Sequence, residues 1–136
     1  MRKVLDAWAM LAWLQNERPA ADKLQTMLEE TESGALQLRM SMINVGELYY
    51  RLASKRGAEE AEAFLNDLRG MPVQTLAAPK RLIVEAAHLK ACHAISYAVA
   101  FAVATAIRDK APVVSGDPEL KVFQGSGIVE IEWIGA

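Results

Sequence analysis

The sequence predicts an α/β domain with a parallel central sheet of four to five strands and helices on both faces. Three observations predict it. Short apolar segments alternate along the chain with stretches of helical period, and Gly or Pro marks most of the changes. The chain has 136 residues, 52% of them hydrophobic and 24% charged, which is enough apolar material for one core at the commonest domain size. Aspartates stand after the first and fourth apolar segments, where strands of such a sheet end. No repeat, low-complexity tract or linker interrupts the pattern, so residues 1–136 read as a single domain.

Lys3-Val4-Leu5 is the first strand, ended by Asp6, and a helix follows over Ala7–Gln15. Pro19 opens a second helix to about Glu30, with Leu24, Met27 and Leu28 on one face. Leu36–Met40 is the second strand. Ser41 caps a helix over Met42–Arg56 that stops at Gly57. A further helix spans Ala58–Leu68, and Val73–Leu76 is a strand. Pro79 opens a helix to His93, and Ser96 caps an alanine-rich one to Lys110. Pro112–Ser115 is the fourth strand and feeds the turn Gly116-Asp117-Pro118. A short helix near Glu119–Phe123 and a last strand, Ile128–Trp133, complete the chain.

Composition narrows the function. A net charge of −2 lacks the positive field that grips long nucleic acid, so an RNA partner would need local basic residues and metal ions. The single cysteine, Cys92, forms no intrachain disulfide and is expected as a small buried hydrophobe in a reducing compartment. No signal peptide or membrane-length apolar run is read, and the expected location is the cytoplasm, away from membranes. His88 and His93 lack ligand spacing with Cys92, which argues against zinc. Trp8, Trp13 and Trp133 are expected as core or interface aromatics, with Trp8 beside the acidic site and able to narrow it, and Arg51, Lys55 and Arg56 as a solvated helix face or, alternatively, as contacts to phosphate.

Asp6, Glu47 and Asp117 each lie in or beside an apolar stretch: KVLDAWAMLAWL, SMINVGELYYRL and PVVSGDPELK. A lone buried carboxylate is unfavourable and needs a partner. If strand ends bring these acids to one rim, a shared dication resolves the repulsion, and an all-oxygen set suits Mg²⁺ or Mn²⁺. Asn44 is three residues before Glu47 on one helix face and can orient a carboxylate. Ser115 is placed to hydrogen-bond a ligand or water, and Glu119 to reach the pocket. Singly, each acid has an ordinary role open to it: a helix cap for Asp6, a solvated helix carboxylate for Glu47, a turn for Asp117.

The segments VLDAWAML, SMINVGELYYRL, ISYAVAFAVATA and VVSGDPELK, in this order and spacing, resemble the PIN domain, and within it the VapC-type toxins of type II toxin–antitoxin pairs. The resemblance spans essentially the whole chain. It implies a PIN-like fold and a Mg²⁺- or Mn²⁺-dependent endoribonuclease, in which metal-held carboxylates position and deprotonate a water for in-line attack on phosphate. It also implies a cognate antitoxin partner and a homodimer. Carried over, the acidic quartet falls on Asp6, Glu47, position 99 and Asp117, and the serine of the last turn on Ser115. Two positions depart from the pattern. Val99 stands where the family has an aspartate, and Trp8 where a small hydroxyl residue is common. Val99 offers no oxygen to a cation, so the resemblance implies a nuclease of weakened activity or, alternatively, a catalytically impaired PIN scaffold that binds an antitoxin or dimerises. A receiver-like phosphotransfer domain also clusters acids at a strand rim. It ranks last, because paired acids after the first strand and a late lysine are missing.

Overall fold

The computed structural model describes residues 1–136. Its elements are β1 (Arg2–Leu5), α1 (Ala7–Leu14), α2 (Ala20–Glu32), β2 (Gln37–Ser41), α3 (Met42–Arg56), α4 (Ala58–Leu68), β3 (Val73–Leu76), α5 (Lys80–Cys92), α6 (Tyr97–Asp109), β4 (Val113–Ser115), a 3-10 helix (Pro118–Phe123) and β5 (Ile131–Trp133). The five strands form one sheet in the order β3-β2-β1-β4-β5, and every pairing is parallel.

Side chains alternate across a strand, so adjacent residues feed opposite cores. Leu5 and Val114 pack with α1, α2, α3 and α4 in a cluster of 21 buried residues, while Val4 and Val113 pack with α5, α6 and the 3-10 helix in a cluster of 16. Both faces are therefore covered, which is why β1 and β4 carry valine and leucine on both sides. Each such side chain withdrawn from water contributes about 1.5–3 kcal/mol before chain entropy is set against it.

Local signals fix the helix ends. The Ser41 hydroxyl accepts the Ile43 N–H at the start of α3, and the Ser96 hydroxyl accepts the Val99 N–H at the start of α6. Gly57 ends α3 at φ 95°, a conformation that excludes most side chains. The last strand is shorter than expected: it starts at Ile131 rather than Ile128, because positive φ angles at Gly125 and Gly127 hold the preceding segment in turns. Cys92 corrects another expectation. It is exposed at the end of α5, its Sγ 3.8 Å from His88 Nε2, because it lies away from the α5 face that carries Leu82, Ala86 and Leu89 into the core. No single helix is long and apolar enough to cross a membrane.

From β1 the chain proceeds through β2 to β3 on one side and places β4 and β5 on the other. The direction reverses between β1 and β4, and in open parallel sheets the crevice beyond the strand ends at such a point is where ligands bind. Asp6 follows β1, and Ser115 ends β4.

Candidate active site

Asp6 is the N-cap of α1. Its Oδ1 accepts the Ala9 N–H at 2.9 Å, and its Oδ2 accepts the Ser115 hydroxyl at 2.5 Å. The same Ser115 Oγ accepts the Asp117 N–H at 2.9 Å, so one hydroxyl ties the end of β1 to the turn after β4. Asp117 in turn caps the 3-10 helix, its Oδ1 accepting the Glu119 N–H at 3.0 Å. Glu119 reaches back to α6, where its Oε1 accepts the Ser96 N–H at 2.5 Å.

Two more residues enter from α3. Asn44 is fully buried. Its Nδ2 donates to the Ala98 carbonyl at 2.9 Å, fastening α3 to the first turn of α6, and its Oδ1 has no hydrogen-bond partner. Glu47 is 8% exposed, and its Oε2 lies 3.0 Å from Arg51 Nη2. Arg51, expected on a solvated face or at phosphates, is half exposed and pairs with Glu47. The signal was available, since a Glu followed four residues later by an Arg is the spacing of a helical ion pair.

Electrostatics connect these groups. Burial pushes the Asp6 carboxyl up from 3.8 to about 7; the hydrogen bonds from Ser115 and Ala9 oppose the rise, and the negative charges of Asp117 and Glu47 add to it. Glu47 is also raised, first by burial and further by Asp117 and Glu119, against the pull of Arg51. The carboxylates thus sense one another from three separate elements.

Asp6, Ser115, Asp117 and Glu119 form one hydrogen-bonded chain at this end of the sheet, and the charge of Glu47 reaches Asp6, but they do not form a closed cage. No three acidic side chains converge tightly enough to grip one ion. Ser115, expected to hydrogen-bond a ligand or water, bonds Asp6 and Asp117. Val99 lies in the first turn of α6, 3% exposed, and supplies no oxygen. The donor set fits Mg²⁺ or Mn²⁺ in chemistry: oxygens throughout, and a buried carboxylate without a cation.

Trp8 stands at this rim, as its place two residues after Asp6 predicts. A Cβ built on Gly116 would lie 2.3 Å from Trp8 Cη2, so the indole rests directly on the backbone between Ser115 and Asp117. Only glycine permits that approach.

The family model described as PIN domain matches residues 3–125. The fold is similar to VapBC2 from Rickettsia felis bound to a DNA fragment from its promoter, with a TM-score of 0.73, 14% identity and 98% of each chain covered. It is also similar to VapBC-1 from nontypeable Haemophilus influenzae, with a TM-score of 0.66, 18% identity, and 99% of this chain and 98% of that one covered. A third similar structure is VapC20 of Mycobacterium tuberculosis, a toxin that cleaves the sarcin–ricin loop, with a TM-score of 0.63, 18% identity, and 95% of this chain and 98% of that one covered. No curated protein sequence matches the chain at a significant level.

Proposed function

The chain belongs to the PIN domain family, and from that premise we propose that it is a metal-dependent endoribonuclease, the toxin of a toxin–antitoxin pair. One observation carries the reading. Asp6 and the backbone of Asp117 bond the same Ser115 hydroxyl at the point where the sheet reverses direction, with Glu47 near enough for its charge to be felt at Asp6.

Asp6, Glu47 and Asp117 would hold a Mg²⁺ or Mn²⁺ ion, directly or through water. Such an ion supplies a low-pKa water and neutralises charge on the phosphate. Ser115 fixes the rotamer of Asp6. Asn44 anchors α6 against α3, and Glu119 and Ser96 cap α6 from outside and inside. Asp117 and Glu119 are partly exposed while Asp6 and Ser115 are sealed. A phosphate would therefore approach from the Asp117 side. Cleavage of a structured RNA with Mn²⁺, lost on chelation and in Asp6→Ala, is the expected result; RNA left intact by the unaltered chain with Mn²⁺ overturns the nuclease.

Partners belong to the same reading. VapBC structures similar to this one contain an antitoxin. Here Met42, Val45, Leu65, Leu68 and Val73 line an apolar cavity of about 410 Å³ between α3, α4 and β3, suited to an amphipathic antitoxin helix. A homodimer and a cytoplasmic location complete the proposal, and the exposed Cys92 thiol is consistent with a reducing compartment.

Val99 favours a second reading, a PIN scaffold that binds an antitoxin and does not cut. A buried valine occupies the position where the resemblance places the fourth acid. Formation of an antitoxin complex by a chain that leaves RNA intact selects it.

A further inference from the structure

The Trp8 ring has two neighbourhoods. One part rests on Gly116, and the residue also lines a cavity of about 320 Å³ with Glu17, Arg18, Pro19, Ala20 and Gly135. Gly135 abuts the same turn, since a Cβ built on it would stand 3.3 Å from Gly116 Cα. Two residues of its lining, Trp8 and Gly135, therefore touch the residue between Ser115 and Asp117, which puts the cavity beside the acidic rim. Glycine on one side, Pro19 on another and an indole on a third make a flat, largely apolar slot.

Building on the ribonuclease reading, we propose that this slot is a subsite for one unpaired base of the RNA, stacked on Trp8 next to the phosphate held at the acidic rim. The chemistry supports a base. A net charge of −2 and an acidic site give the chain little electrostatic hold on a phosphate backbone, so affinity must come from elsewhere. Stacking on an aromatic ring supplies it without needing positive charge, and unpaired bases in loops can be splayed out to reach it. Arg18 is the cation of the lining. Its only ion pair, with Asp22 at 3.5 Å, joins two side chains that are 69% and 66% exposed, a weak contact that leaves the guanidinium able to swing to a neighbouring phosphate. Glu17 opposes it on the same wall, which disfavours a second anionic group there.

The test reads binding without chemistry. Single-stranded RNA of about eight nucleotides, as oligo(U), oligo(A) and oligo(C), is titrated in EDTA at low salt into the Trp13→Phe/Trp133→Phe chain, where Trp8 is the one remaining tryptophan. Saturable quenching of its emission is expected, with a fully abasic chain of the same length giving none. Trp8→Leu, which keeps apolar bulk over Gly116 but removes the aromatic face, is expected to bind about tenfold more weakly by anisotropy of labelled RNA, and Trp8→Phe to keep most of the affinity. Thermal melting of each variant establishes that it is folded. Absence of binding, binding without quenching, or equal affinity of Trp8→Leu and the parent overturns the subsite. A chain that quenches and binds through Trp8 yet cuts nothing with Mn²⁺ keeps the subsite and loses the nuclease. A chain that cuts while its Kd and KM ignore Trp8→Leu does the reverse.

Discussion

The hydroxyl of Ser115 donates to Asp6 Oδ2 across 109 positions of sequence while accepting the Asp117 N–H. Ser115 is fully buried and Asp6 nearly so. Ser115→Ala would leave a buried carboxylate oxygen and a backbone N–H short of a partner. A loss of about 2–4 kcal/mol is expected, with each orphaned group contributing about 1–3 kcal/mol. Urea unfolding of the two proteins measures it, and a loss under about 0.5 kcal/mol would show that the serine is not what joins β1 to the turn.

Asp6 also sets an unusual pH dependence for the metal-free chain. Its carboxyl is pushed up from the ordinary 3.8 of the unfolded chain to about 7 in the folded one, chiefly by burial. Between those values the folded state holds a proton that the unfolded state has released. The associated stability is therefore fully present below about pH 4 and is lost as pH rises through 7, opposite in sign to an ordinary salt-bridged aspartate. The raised Glu47 acts in the same direction. A fall of a few kcal/mol is expected across this window in EDTA. Asp6→Asn should flatten the slope, and millimolar Mn²⁺ should recover stability more at pH 8 than at pH 5, because an ion binds the ionised form. Denaturation midpoints flat from pH 4 to 8 in the unaltered chain would remove the buried charge from the account.

Much of this is legible in the sequence, for physical reasons that particular residues display. Ser41, Gly57 and Ser96 are caps whose side chains or conformations act within a few residues, so the ends of α3 and the start of α6 followed from local chemistry. Asp6 and Asp117 were placed at one rim because short apolar strands end just before them. The contacts that bring distant segments together were not readable. Nothing in the local pattern says that Ser115 donates to Asp6, that Glu119 caps α6 at Ser96, or that the Trp8 ring lies on Gly116. Cys92 was misplaced because its residue type favours burial, whereas its position at the end of α5 decided its exposure.

Position 99 offers the sharpest test of the acidic site. Val99 is 3% exposed in the first turn of α6, and its N–H is 3.2 Å from the Ser96 hydroxyl. Val99→Asp would bury a carboxylate at the position where the resemblance places the fourth acid. Without metal, repulsion and desolvation should lower stability by about 2–4 kcal/mol. With Mn²⁺ the added oxygen ligand should tighten binding by about tenfold or more and raise the rate of RNA cleavage. Calorimetric titration and cleavage assays check the two arms separately. A variant as stable as the parent in EDTA and with unchanged Mn²⁺ affinity would place residue 99 outside the acidic site.

Gly116 is constrained by steric contact instead of charge. A Cβ there would meet Trp8 Cη2 at 2.3 Å and Cζ2 and Cζ3 at 2.6 Å, well inside van der Waals contact. The indole cannot easily retreat, because Trp8 also packs against the core cluster that includes Leu5 and Val114. Gly116→Ala should therefore destabilise the chain by about 1–3 kcal/mol through overpacking. Trp8→Ala alone should also destabilise it, by removing contact area. The double variant should then be more stable than the sum of the two losses predicts, since the methyl group enters space the ring has left, and a coupling of about 1 kcal/mol or more is expected. Additive losses in urea denaturation would mean that Gly116 is required for its backbone conformation and not for the approach of the ring.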